Sequence, residues 1–158
     1  GGTMAFTAGY WVLYKFKPQI ICYTGCDMVY KGEKTHFYGK GNADPLRKDK
    51  TLNNLLAKSA RLEAIAFINK CKILNLSNIP ESKLTFTKVN VNDLDNISRI
   101  NLNKIKEEKI NLALQKEKKT GYFVPDGKYW KKMDKFEKKE IKIIDNLWLS
   151  SIQQEIEV

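Results

Sequence analysis

Gln19 to Tyr38 reads QIICYTGCDMVYKGEKTHFY, and its reading decides the fold. It opens on Ile20, Ile21, Cys22 and Tyr23, a continuous apolar run closed by Gly25. That pattern suits a strand buried on both faces of a parallel sheet better than an alternating edge strand. Parallel sheets carry their sites outside the carboxyl ends of the strands. Asp27, Tyr30, His36 and Tyr38 fall there, and His36 is the only histidine in the chain.

Upstream, Gly1, Gly2 and Thr3 lead into Met4 to Phe16, where Met4, Ala5, Ala8, Trp11, Val12 and Phe16 can share one apolar helical face. Pro18 stops that helix. A glycine-rich turn at a helix N-terminus is a ready anion site, because free backbone N–H groups and the helix dipole point the same way. The same glycines also serve simply as tight turns. An opening of this kind reads as the middle of a domain plan.

Downstream, Tyr30 to Lys50 is a polar loop of a length that is usually functional, with Gly32, Gly39, Gly41 and Pro45 in it. Gly39-Lys40-Gly41 lacks the full spacing of a phosphate loop with its terminal Lys-Ser or Lys-Thr, which excludes a nucleoside triphosphatase of that kind. Thr51 then caps a helix to about Lys70, with Leu52, Leu55, Leu56, Ser59, Leu62 and Ala66 facing inward. Cys71 to Leu76, CKILNL, is a second short buried strand. Helix, strand, loop, helix, strand is the order of an α/β sheet with crossover helices.

Ser77 to Val91 is connection, with Pro80 and a short extended stretch at Leu84 to Val89. From Val91 to Lys118 the spacing of Leu94, Ile97, Ile105 and Leu112 predicts one helix, with Asp93 and Asp95 near its start as the dipole prefers. Gly121 to Gly127 breaks the chain at Pro125. A last helix, about Lys128 to Glu155, carries Trp130, Met133, Ile141, Ile144, Trp148 and Ile152 on one stripe. The two helices can pair as a hairpin, and the stripe could equally dimerise. Two short strands bury little by themselves, so a homo-oligomer formed through the sheet or the C-terminal helices is expected.

The 158 residues suffice for one ordinary domain or part of a larger one. No apolar run reaches membrane-spanning length, and Met4 to Phe16 lacks the basic leader and cleavage site of a signal peptide, which points to the cytoplasm. Cys22, Cys26 and Cys71 read as buried free thiols, and no fourth ligand joins Cys22, Cys26 and His36 in a zinc site. The net charge of +10 comes from lysine, with only Arg47, Arg61 and Arg99 as arginines. Lysines interleaved with acids at helical spacing describe a solvated surface, so nucleic acid is not the expected partner; a nucleic-acid groove would show clustered arginine and exposed aromatics.

The loop supplies chemistry. His36 is the candidate general base, since imidazole titrates near neutrality. Asp27 could orient its ring, Tyr30 and Tyr38 could bond a phosphate or sugar hydroxyl, and Lys40 and Arg47 could hold a carboxylate or phosphate. The alternative is a surface histidine with packing tyrosines.

Four segments in order, GGTMAFTAGY, IICYTGCD, THFYG and ARLEAIAFINKCKILNLS, together resemble the C-terminal half of bacterial lipooligosaccharide sialyltransferases. The resemblance covers roughly residues 1 to 87. It implies a partial Rossmann-like α/β domain over residues 1–90, without the family's N-terminal half and its Asn-Gly turn. The lysine-rich helical extension at 91–158 is not explained by it. Gly2 and Thr3 match the nucleotide-contacting turn, Gly25 and Asp27 the strand exit, and His36 with Gly39 the segment of the proposed base. Tyr30 lies one position later than the family's tyrosine. The implied reaction is metal-independent transfer of sialic acid or a related sugar from a cytidine monophosphate donor to a glycan hydroxyl. The nucleotide sugar is then a substrate, and no cofactor is called for. A non-catalytic nucleotide- or sugar-phosphate-binding module and a nucleic-acid-associated basic protein are the other two readings.

Overall fold

A computed structural model of the chain describes residues 3–30, 54–121, 131 and 134–153. Helix α1 (Met4–Phe16) is capped by Thr3, whose side chain accepts from the Phe6 N–H. It ends at Lys17, in the left-handed region just before Pro18. Strand β1 (Ile20–Tyr23) follows, then α2 (Leu55–Ile68) and β2 (Lys72–Asn75). β1 and β2 pair in parallel with Ile20 opposite Lys72 and Tyr23 opposite Asn75. β3 (Thr87–Lys88) adds in parallel on the far side of β2, giving the sheet order β1-β2-β3. The α/β class and the small parallel sheet agree with the sequence reading.

Several details differ from it. β1 is an edge strand with Ile20 and Cys22 exposed, Ile21 half-buried and Tyr23 buried. Only one of its faces is covered, so its apolar run does not mark burial on both sides. Cys22 is therefore an exposed thiol, while Cys26 is half-buried and Cys71 buried; all three are free. The central strand is β2, where Ile73, Leu74 and Asn75 are all buried.

The buried face of α1 is Phe6, Gly9 and Leu13, whereas Met4, Trp11 and Phe16 point outward. Both faces of this helix are apolar, and Gly9 decides between them. A Cβ there would lie 2.0 Å from the Tyr23 hydroxyl oxygen and 3.0 Å from Leu62 Cδ2. Only a bare backbone lets α1 sit this close to β1 and α2.

α2 is capped by Asn54, whose side chain accepts from the Ala57 N–H at 3.0 Å; Thr51 and Leu52 lie outside the described residues. Leu55, Ser59, Leu62 and Ala66 are buried as read, and Leu56 is exposed. Beyond β3 the single helix expected from Val91 to Lys118 is three pieces. A 3-10 segment (Val91–Arg99) has no buried residue and leaves helical geometry at Asn96. β4 (Lys104–Ile105) is extended, and α3 (Glu107–Thr120) buries Ile110, Ala113 and Glu117 in place of Leu112. Asn103 holds the extended stretch between the 3-10 segment and α3: its backbone N–H donates to Thr87 Oγ1 at 3.2 Å and its Nδ2 to the Thr85 carbonyl at 2.7 Å, bonds that take the chain out of a helix.

The last helix, α4 (Lys138–Ser151), buries Ile141, Ile144 and Trp148 as read; Trp130 and Met133 lie outside the described residues. It ends in β5 (Ile152–Gln153), which pairs antiparallel with β4. α3 and α4 form the expected hairpin, and α4 also packs along α2. One apolar cluster runs from Phe6 and Leu62 through Ile110 to Trp148, so residues on both sides of position 90 share a core.

Buried charges sew this core together. Arg61 on α2 donates from Nε and Nη2 to the two oxygens of Glu117 on α3, at 2.8 and 3.0 Å. Its Nη1 reaches the Tyr10 hydroxyl on α1, and Trp148 Nε1 on α4 donates to Glu117 Oε1 at 2.8 Å. One turn away Lys58 pairs with Asp145 of α4 at 2.9 Å. On the same helix Glu63 accepts from Thr85 Oγ1 and from Asn103 Nδ2, both at 2.7 Å.

Candidate functional site

α2 crosses over between the parallel strands β1 and β2, and α1 leads directly into the start of β1, so the N-termini of both helices lie at the carboxyl end of the strands. The bond from the Tyr23 hydroxyl to the Ala5 carbonyl, at 3.0 Å, fixes the start of α1 beside the exit of β1. Thr3 is buried there, holding the Phe6 N–H with its side chain and the Thr7 N–H with its carbonyl.

At the exit of β1, Gly25 takes a φ of +66°, which a glycine adopts without strain. The chain then turns inward. Asp27 is buried, and its carbonyl accepts from the Lys83 N–H at 2.8 Å. Carboxylate oxygen Oδ2 accepts from the Ser77 hydroxyl at 2.9 Å. Oδ1 is buried too, and it has no hydrogen-bond partner among the described residues. A buried carboxylate oxygen left without a donor costs on the order of 1–3 kcal/mol or more. The next residue, Met28, is held at a φ of +55° although it is not glycine. Strain of this kind collects at ligand sites.

Ser77 is placed by the register of the sheet. Tyr23 opposite Asn75 sets the residues after β2 beside those after β1. Asn75, fully buried at the end of β2, accepts from the Ser77 N–H at 2.9 Å and donates to Ser82 Oγ at 3.2 Å. Asp27, Ser77, Asn75 and Ser82 thus form one polar network at the carboxyl ends of two strands. Sequence reading found Asp27, took Asn75 as part of the second strand, and passed over Ser77 and Ser82 as connection. Aligning the ends of the two apolar runs, IICY and KILN, would have found them.

Of the other residues read as site residues, Tyr30 is half-buried with its hydroxyl on Met28 Sδ at 3.5 Å, and Gly25 is exposed. Gly2, His36, Tyr38, Lys40 and Arg47 lie outside the described residues. Burial, and then the Asp27 carboxylate, push the Cys26 thiol up, which keeps it protonated and unsuited to act as a nucleophile near neutral pH. No cluster of three or more metal-ligating side chains occurs among the described residues. Nor is any helix among them long and apolar enough to cross a membrane.

The arrangement can accept a hydroxyl or other donor on Asp27 Oδ1, at the end of the sheet where α1 and α2 begin. No protein-family model, curated protein or solved structure matches the chain.

Proposed function

We propose that the carboxyl end of the sheet, read as part of a Rossmann-like domain, binds a nucleotide sugar. In this reading the chain is a glycosyltransferase-like protein that moves sialic acid or a related sugar from a cytidine monophosphate donor to a glycan hydroxyl. The observation that carries the proposal is Asp27 Oδ1, buried and without a partner among the described residues, which fits a ligand hydroxyl. Asp27 lies at the strand exit, where a parallel sheet exposes its ligands. The start of α1 at Thr3 offers backbone N–H groups and a positive dipole end to the phosphate.

His36 takes the proton of the acceptor hydroxyl as its oxygen attacks the anomeric carbon. The bond from that carbon to the phosphate oxygen breaks, and cytidine monophosphate leaves with the bonding electrons. Tyr30 and Tyr38 donate to the departing phosphate, and Lys40 and Arg47 neutralise its charge.

Thermal-shift titration with cytidine nucleotides, other nucleotides and sugar phosphates tests the site. A ligand at a hundred times its dissociation constant adds about 2.7 kcal/mol to the folded state, a shift that is easily seen. Cytidine monophosphate is expected to raise the melting temperature selectively, and Asp27→Ala to remove that shift while the free protein still melts cooperatively. His36→Ala should keep the shift and lose transfer. A shift with no turnover in the parent chain reduces the reading to a binding module. No shift with any nucleotide or sugar phosphate removes the site, and unchanged turnover in His36→Ala removes the base.

A further inference from the structure

α1 and α2 both end at the amino end of the sheet, opposite Asp27. The two ends are joined by the bond from the Lys72 N–H to the Gln19 carbonyl at 2.8 Å. Each helix stops on a lysine in the left-handed region, Lys17 at a φ of +48° and Lys70 at +58°, where glycine would be free of strain. Lys15 lies in the last turn of α1, and Lys72 opens β2.

Large apolar side chains close to these lysines in the chain are exposed. Trp11 and Phe16 are 59% and 62% exposed and pack edge to face with ring centroids 5.2 Å apart. Phe67 and Ile68, at the end of α2, are 43% and 50% exposed. Single exposed apolar residues are ordinary, but four large ones toward the ends of two helices that pack together are not. No acidic residue occurs before Asp27, nor between Ala64 and Pro80.

We propose that this amino end of the sheet is a docking face for an anionic membrane surface. Charge complementarity selects the occupant. A second copy meeting this face with its own would set four lysines against four, and neither segment carries an acid to pair them. A polyanion without an apolar phase would leave Trp11, Phe16, Phe67 and Ile68 in water. An anionic bilayer answers both needs: the aromatic rings enter the headgroup region, and the lysine stems lie along the apolar surface with their ammonium groups among the lipid phosphates. The net charge of +10 adds long-range attraction to the same surface. Docked this way, the Asp27 end stays open to solution, about 20 Å away, the length of α1.

Co-sedimentation of the full chain with vesicles tests this, comparing pure phosphatidylcholine with phosphatidylcholine carrying about 30% phosphatidylglycerol at low salt. Binding is expected only to the anionic vesicles. Lys15→Gln with Lys17→Gln should weaken it roughly 25-fold, about fivefold for each lysine near the surface. Phe16→Ser with Phe67→Ser, which leaves the charge unchanged, should reduce it at least tenfold, since partition follows buried apolar area. Lys118→Gln with Lys119→Gln, on α3, should leave it within roughly threefold, as charges off the contact face contribute little. Circular dichroism and melting confirm that each variant is folded. Absence of anionic-vesicle binding overturns the proposal. So does binding that the serine pair leaves intact, which is general adsorption of a polycation. A dimer that the serine pair dissociates, without vesicle binding, gives the face to a second copy and overturns it as well.

Discussion

Gly9→Ala tests the account of how α1 meets the sheet. The new methyl carbon would sit 2.0 Å from the Tyr23 hydroxyl oxygen, far inside contact distance, so the tyrosine must move. Its ring packs against Phe86 with centroids 5.1 Å apart, and its hydroxyl is bonded to the Ala5 carbonyl. Displacing it loses a hydrogen bond worth about 1 kcal/mol and adds overpacking of roughly 1–3 kcal/mol. Alanine returns about 1 kcal/mol of helix propensity. The net loss is about 2 kcal/mol, which lowers the melting temperature by roughly 4–8 °C in a chain of this size. Tyr23→Phe removes the clashing oxygen. The nearest remaining atoms are Leu62 Cδ2 at 3.0 Å, the flexible end of a side chain, and the ring carbon Cζ at 3.3 Å. In the Tyr23→Phe background, Gly9→Ala should therefore cost nothing or stabilise slightly, a coupling of about 2 kcal/mol between the two positions. Urea unfolding of the four proteins in the cycle measures it. Equal costs of Gly9→Ala in both backgrounds would refute the reasoning, because the oxygen would then not be the obstacle.

Glu117→Ala strands the Arg61 guanidinium and the Trp148 indole N–H in the core, and should cost about 3–5 kcal/mol by denaturant unfolding. Replacing the pair by Arg61→Met with Glu117→Leu should recover most of that loss; recovery of none would deny the stranded charge its part. Burial raises the Glu63 carboxyl above its ordinary value of 4.5, against the opposing bonds from Thr85 and Asn103. A group with a raised folded pKa contributes its stability in full below the unfolded value and loses it as pH rises through the folded one. The stability of the parent relative to Glu63→Gln should thus decline as pH rises from about 4.5, and a flat difference between pH 4 and 8 would contradict the burial effect.

The elements that were legible are those written in consecutive residues. Ile20 to Tyr23 and Lys72 to Asn75 are apolar runs, Pro18 ends α1 within two residues of its last turn, and the stripe of Ile141, Ile144 and Trp148 shows α4 directly. What escaped depends on partners distant in sequence. β4 and β5 are two residues each and exist only through their mutual pairing, so Lys104 and Ile105 read locally as helix. The buried face of α1 could not be told from its periodicity, because Trp11 and Phe16 are as apolar as Phe6 and Leu13; the close approach over Gly9 made the choice. The exit of β1 gave Asp27, whereas Ser77 joins it only through the register of β1 on β2. Pattern shows which residues are apolar or chemically capable, and long-range pairing shows which of them meet.

The placement of Lys58, Arg61 and Glu63 within two turns of α2 also shapes how the molecule comes apart. Each is buried or largely so, and each holds a different part: α4 through Asp145, α1 and α3 through Tyr10 and Glu117, and the approach to β3 and β4 through Thr85 and Asn103. Detaching the α3–α4 hairpin alone would break the pairs with Asp145 and Glu117 and expose the apolar face of α2 together with Ile110, Ile144 and Trp148. Such a half-opened state loses both the ion pairs and the shared apolar burial. The sheet and the C-terminal helices are therefore expected to unfold together, with probes placed in the two parts reporting coincident transitions.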